Sequence, residues 1–127
     1  MKNFIYLFLA LFILGCSSDD SNSSTNNNTF NPPTWIQGVW LNSNVQFEVG
    51  FEFRQNDFCQ VVSSVQTICI EQTYNQFPDF SVYEEISDTR YFIRYIISGA
   101  EYEYEFEKVS DDLISWVAVD GSVYERQ

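Results

Sequence analysis

The side chains able to do chemistry are few: Cys16, Cys59, Cys69, eighteen Asp and Glu, six Lys and Arg, and no histidine. Without an imidazole the chain has no Ser–His or Cys–His pair, and it lacks the commonest metal ligand. Glu84-Glu85 and Asp111-Asp112 are adjacent acids, which on a strand point to opposite faces and make no glycosidase-like pair. Glu101, Glu103, Glu105 and Glu107 share one strand face, but Arg90 and Arg94 lie within pairing distance. That row reads as a solvated outer face, and no metal site is expected there. The net charge of −12 repels phosphate backbones and excludes nucleic acid as a partner. The expectation is a protein that is no enzyme and needs no cofactor or metal.

Cys16 belongs to a different chemistry. Met1-Lys2-Asn3 is a short basic start, and Phe4 to Leu14 is unbroken apolar sequence. A membrane-spanning helix needs about 20 apolar residues, so this shorter run reads as a signal-peptide core. Ile13-Leu14-Gly15-Cys16 resembles the lipobox of bacterial lipoproteins. The resemblance implies that residues 1–15 are removed and that Cys16 is lipidated and becomes the new N-terminus. Its acyl chains would hold the membrane at about 0.8 kcal/mol per buried methylene. Ser17-Ser18-Asp19-Asp20 resembles the short signal that places lipoproteins of some Gram-negative bacteria on the cell surface. The implied location is the outer membrane, lipid-anchored and surface-exposed. From Ser17 to Asn31 the chain is Ser- and Asn-rich, with Phe30 its single apolar residue. Residues 16–31 therefore read as the lipidated cysteine plus a flexible linker reaching roughly 20 Å. Pro32-Pro33 marks the start of a domain over residues 32–127.

Beyond Trp40 the hydrophobic period is two, the signature of half-buried strands. Val45 to Arg54 alternates without a break, with Phe47, Phe51 and Phe53 on the apolar side. Gly50 falls on its outer face, where a missing side chain permits a sharp bend. Phe58 to Val62 and Val65 to Tyr74 read as a hairpin about Ser63-Ser64. Cys59 and Cys69 are symmetric about Ser64, so a three-residue loop sets them opposite each other. In an oxidising compartment this predicts a Cys59–Cys69 disulfide contributing about 2–3 kcal/mol. A two-residue turn would offset the pair by one and leave both thiols free.

Phe80 to Ile86 is a further strand, and Arg90 to Lys108 is a hairpin turning at Ser98-Gly99. Pairing outward sets Tyr95 opposite Tyr102, Ile93 opposite Tyr104 and Tyr91 opposite Phe106. On the other face Arg94 meets Glu103 and Arg90 meets Glu107. Asp120-Gly121 predicts a last two-residue turn, pairing Val117 with Tyr124 and Trp116 with Glu125. Burying Glu125 would strand a carboxylate, so Leu113, Val117, Tyr124 and Arg126 are expected inside. Ile114, Trp116, Ala118 and Val123 then form an outward apolar patch. A three-residue loop at Ser110 to Asp112 reverses this choice by aligning Trp116 with inward Phe106, and both alternatives stay open.

The reading is all-β: an antiparallel up-and-down meander of eight or nine short strands closed into a small barrel. Gly38-Val39-Trp40 at the first strand resembles the Gly-x-Trp motif of lipocalins. Val109 to Leu113 and the Tyr124-Glu125-Arg126 ending are similar to the small lipocalin-like domains of bacterial surface lipoproteins. The resemblance implies that Arg126 packs over Trp40 and closes the barrel floor, a cation–π contact of about 0.5–2 kcal/mol. It further implies a ligand-binding interior, lined here by Phe47, Phe51, Tyr91, Tyr95, Tyr102 and Tyr104. The expected function is binding of a small apolar or amphipathic ligand by a lipid-anchored domain. The alternative is a structural or protein-interaction lipoprotein of the envelope with a filled core, working through the Trp116 patch.

Overall fold

A computed structural model describes residues 23–42, 46 and 48–127 of the chain. The leader, Cys16, the linker as far as residue 22, and Phe47 lie outside these described residues. Among these residues ten strands are present: β1 (Ser23–Asn27), β2 (Gly38–Asn42), β3 (Gly50–Arg54), β4 (Asp57–Ser63) and β5 (Gln66–Cys69), then β6 (Ser81–Ile86), β7 (Arg90–Ile97), β8 (Ala100–Ser110), β9 (Leu113–Trp116) and β10 (Val123–Arg126). One short helix, α1 (Ile70–Tyr74), follows β5 where the sequence pattern reads as continued strand.

All ten strands join one antiparallel sheet in the order β1-β6-β7-β8-β9-β10-β2-β3-β4-β5. The two meanders, β2 to β5 and β6 to β10, are joined by the β10–β2 pair. The all-β meander is as expected, but its closure and its strand count are not. Among the described residues there are ten strands, and the ladder ends at two edges, β1 and β5. Closure fails for two local reasons. The chain turns into α1 directly after Cys69, which stops β5, and β1 occupies the edge of β6 that closure would have used. The sheet instead curls into a half-barrel whose walls meet through aromatic rings. Phe51 and Phe53 of β3 reach Phe106 of β8 with centroids 4.8 and 5.0 Å apart.

The β7–β8 hairpin follows the predicted register throughout, from Ile97 opposite Ala100 to Arg90 opposite Glu107. Ser98 and Gly99 both take positive φ, 50° and 79°, as a tight hairpin turn with the right-handed twist demands. Asp79 braces the turn by accepting from both backbone N–H groups. Arg94 pairs with Glu103 at 2.8 Å as expected. Arg90 instead reaches diagonally to Glu105 and to Glu85, leaving its direct neighbour Glu107.

Two one-residue bulges set the remaining registers. Ser64 and Val65 form a two-residue turn, which alone would leave Cys59 and Cys69 out of step. A bulge at Val62, between the Val61 and Ser63 pairings, restores the count, and Cys59 stands opposite Cys69. The disulfide forms there. The second bulge, at Val109, aligns Phe106 with Trp116 and Lys108 with Ile114. Side chains alternate, so this single residue turns Ile114 and Trp116 inward. Ile114 is fully buried and Trp116 packs on the core, whereas Val117 is 45% exposed. The expectation of Leu113 and Val117 inside is thus corrected, and the outward Ile114–Trp116–Ala118–Val123 patch does not form. Asp120-Gly121 makes no two-residue turn either. The connection runs from Val117 to Ser122, and Tyr124 pairs with Ile114. Ser122 Oγ accepts from Trp116 N and donates to Trp116 O, standing in for a ladder partner.

Residues 23–31 also depart from the flexible linker expected of them. β1 pairs along β6, and Phe30 is fully buried against Phe58, Phe80 and Tyr95. The backbone around it is latched at both ends of the sheet. Glu71 in α1 accepts from Thr29 Oγ1 and Phe30 N, and Glu84 in β6 accepts from Asn31 N at 3.0 Å. Asp57 in turn accepts from the N–H groups of Glu71 and Gln72, which fixes the start of α1. Residues 29–31 therefore strap α1, beyond edge strand β5, to β6.

Candidate functional site

An open cleft of about 390 Å³ lies between β3–β4 and β8–β10. Phe51 and Gln60 are direct partners across β3 and β4, so both present side chains to the concave face. Tyr104, Trp116 and Tyr124 come from β8, β9 and β10, and Val49, Gly50, Val61 and Val62 complete the rim. No charged side chain lines it. Trp116 stacks on Tyr104 with centroids 5.5 Å apart and meets Phe51 edge-on at 5.4 Å. Gln60 Nε2 donates to the Tyr104 hydroxyl at 2.6 Å, which holds both polar ends in place. A hollow of this size with apolar walls and a few fixed polar groups is what small-molecule sites share.

Of the residues expected to line a cavity, the structure brings Phe51 and Tyr104 to the cleft. Tyr91 and Tyr95 are buried in the core on the Phe30 side, where they fill space. Tyr102 is 44% exposed and stacks on Tyr95. Phe47 lies outside the described residues. Trp116, Tyr124 and Gln60 are the additions. Tyr124 was legible as inward, but Trp116 depends on the bulge at Val109 and Gln60 offers no apolar signal.

The other predicted pair is formed at the end of the sheet junction. Arg126 stands opposite Trp40 across β10 and β2, and its Cζ lies 4.2 Å from the indole centroid. Its guanidinium donates to Gln37 O, Trp35 O and Asp111 O at 2.7, 2.8 and 3.1 Å. The planar fork thus ties the chain before β2 to the turn before β9 while covering a fully buried ring. Trp40 Nε1 donates to Ile36 O, so the indole is satisfied at its polar edge as well. Gly50 belongs to the same construction. A Cβ there would sit 1.9 Å from the carbonyl oxygen of Trp40, so only glycine lets the two strands approach.

Several other groups with chemical potential are engaged. Glu52, Cys59 and Cys69 come together, but both sulfurs are consumed by the disulfide. A polar hollow of about 640 Å³ beside β1 and β6 contains Arg90 and Lys108. Each already has a carboxylate, Glu85 for Arg90 and Asp111 for Lys108. Glu84 is the one fully buried acid among the described residues, and it accepts from the Tyr91 hydroxyl and Asn31 N. Burial outweighs these hydrogen bonds and holds its carboxyl above the ordinary value of 4.5, with the nearby Glu71 charge adding to the rise. The same burial, followed by the Glu84 charge, pushes the Tyr91 hydroxyl well above 10.0.

Between 4.5 and the raised native value of the Glu84 carboxyl, the folded chain keeps a proton that the unfolded chain has lost. The stabilisation is full below 4.5 and is lost as pH rises through the native value. Glu84→Gln removes this slope. Denaturant midpoints measured from pH 4 to 8 should therefore fall less with rising pH in the variant than in the parent. Superimposable profiles would show that Glu84 titrates as it does in the unfolded chain.

Compared with known protein families, curated proteins and solved structures, the chain matches none.

Proposed function

We propose that this is a lipid-anchored, surface-exposed lipoprotein of the outer membrane whose lipocalin-like half-barrel binds a small apolar or amphipathic molecule without catalysis. The uncharged aromatic cleft of about 390 Å³ carries the reading. It falls in the range of roughly 300–1,000 Å³ that ligand pockets occupy. The Arg126 guanidinium over Trp40 supports the lipocalin-like part, since it is the contact that the Gly38-Val39-Trp40 resemblance implies. The lipidated residue is Cys16, which tethers the domain from upstream of β1. The alternative, an interaction lipoprotein, loses its residue-level support because Ile114 and Trp116 face inward.

Native mass spectrometry of the protein purified from its own envelope tests the reading. A retained molecule of a few hundred daltons, released on unfolding, is the expected result. A stoichiometric protein partner with no small molecule would overturn it in favour of the interaction role.

A further inference from the structure

We infer that Gln60, tied to Tyr104, is the polar handle of the cleft and selects an uncharged, ring-bearing ligand that donates one hydrogen bond to the Gln60 carbonyl. This rests on the binding reading above and narrows it to a ligand class and a specificity-determining residue.

Gln60 stands directly opposite the buried Phe51 across β4 and β3, so its side chain points to the concave face, where it lines the cleft. A glutamine amide carries two N–H donors and one carbonyl acceptor. Nε2 donates to the Tyr104 hydroxyl at 2.6 Å, a bond that reaches from β4 on one wall to β8 on the other. The amide is thereby held in one orientation before any ligand arrives, which lowers the entropic cost of binding to it. Its carbonyl oxygen accepts no hydrogen bond from the described residues. Nor is that oxygen buried, because the one buried side-chain polar atom without a partner among the described residues is Trp116 Nε1. Water therefore reaches the Gln60 carbonyl, and for a side chain on the concave face that water comes through the cleft. A ligand in the cleft takes the same route. One that brings a donor replaces the water's bond, whereas one without a donor dries the carbonyl and leaves it unpaired.

The surroundings define the rest of the molecule. The Tyr124 hydroxyl, another polar group on the wall, is already engaged with Asn42. The rings of Phe51, Tyr104 and Trp116 offer a flat ring system both stacking and edge contacts. No lysine or arginine lines the cleft to meet an anion, and no carboxylate lines it to meet a cation. The net charge of −12 further repels anions before they arrive. A hydroxyl or amide N–H on an uncharged ring meets every one of these conditions.

The test uses the full chain, 15N-labelled and carrying Cys16→Ser so that no acyl chain competes, with four naphthalenes of similar size. They are 2-naphthylmethanol (neutral, with a donor), 2-acetylnaphthalene (neutral, acceptor only), 2-ethylnaphthalene (neutral, with neither) and 2-naphthoate (an anion). The alcohol is expected to bind about fivefold tighter than the hydrocarbon or the ketone, the worth of one net hydrogen bond. It should also shift one side-chain amide resonance pair, identified as Gln60 by its absence from Gln60→Met. The naphthoate should bind most weakly. Gln60→Met keeps the length of the side chain, so it should still take the hydrocarbon while its preference for the alcohol falls to near unity. The amide shift is read in the unsubstituted cleft, so it decides the matter even if Gln60→Met does not fold. Equal binding of alcohol and hydrocarbon with an unmoved Gln60 amide overturns the handle and leaves cleft binding standing. Tighter binding of the ketone than the alcohol overturns the donor class, and tightest binding by the naphthoate overturns the neutral class. Failure of all four to perturb the protein overturns the binding reading itself.

Discussion

Trp40→Ala is expected to lower unfolding stability by about 3–5 kcal/mol, the range for removing a large ring from a packed core. Against a usual domain stability of about 5–15 kcal/mol this is a loss that can unfold the protein at ordinary temperature. Three contacts fail together. The ring is fully buried opposite Phe51 and holds Ile36 O through its N–H. It is also the face on which the Arg126 guanidinium rests at 4.2 Å. Once the ring is gone, Arg126 keeps its three backbone acceptors but sits over a cavity, and the junction between β10 and β2 loses its filling. That junction joins the two meanders, so damage there is not confined to one hairpin. Chemical denaturation followed by tyrosine and tryptophan fluorescence measures the loss. A variant with the parent's midpoint would mean that the centre of the fold lies elsewhere.

Phe30→Ala should cost a similar amount, about 3–5 kcal/mol, although the residue lies in what reads as linker. Its ring is fully buried, 5.8 Å from Tyr95 and 6.0 Å from Phe58. Those two rings belong to opposite walls of the half-barrel and meet at 6.4 Å, and Phe30 packs against both to complete a three-ring cluster. The carboxylates of Glu71 and Glu84 hold its flanking backbone from either side. Asn28→Ala is the control, since Asn28 is exposed and should leave stability within about 0.5 kcal/mol of the parent. Equal midpoints for Phe30→Ala and Asn28→Ala would show that residues 23–31 are no part of the folded unit. The expected result moves the start of the domain upstream of Pro32.

Much of this architecture was legible in the residues. In the β7–β8 hairpin one register satisfies an apolar ladder on one face and opposite charges on the other, and the structure adopts that register at every pair. Local pattern and turn chemistry agree there, which leaves tertiary packing nothing to arbitrate. The Cys59–Cys69 pairing was legible for a related reason, because two cysteines in one hairpin can meet in only a few ways. Trp40 and Arg126 were found through their resemblance to a family motif, and the chain brings them together across β10 and β2.

The cleft was the hard part. Two of its walls, Phe51 and Tyr104, follow from alternation, yet Trp116 has the same neighbours in sequence whether it faces in or out. A bulge at one exposed valine, Val109, makes that choice, and another at Val62 brings the cysteines into step. Composition does not announce a bulge, because any exposed residue near a turn can be the extra one. Its energy comes from the side chains it turns inward several residues away. Phe30 is hidden in the same manner. One apolar residue in a polar stretch has no period, and only the touching rings of Phe58 and Tyr95 give it a place to pack.

Short-range information therefore determined most strands of the two meanders, the central hairpin, the disulfide and the absence of an imidazole-based site. The tertiary structure alone decided that the sheet stays open, that a strap from the N-terminal side packs at the opening, and that Trp116 stands on a cleft wall. The division has one physical cause. Alternation and turn chemistry are set by neighbours along the chain, whereas closure and bulges depend on what the opposite wall supplies.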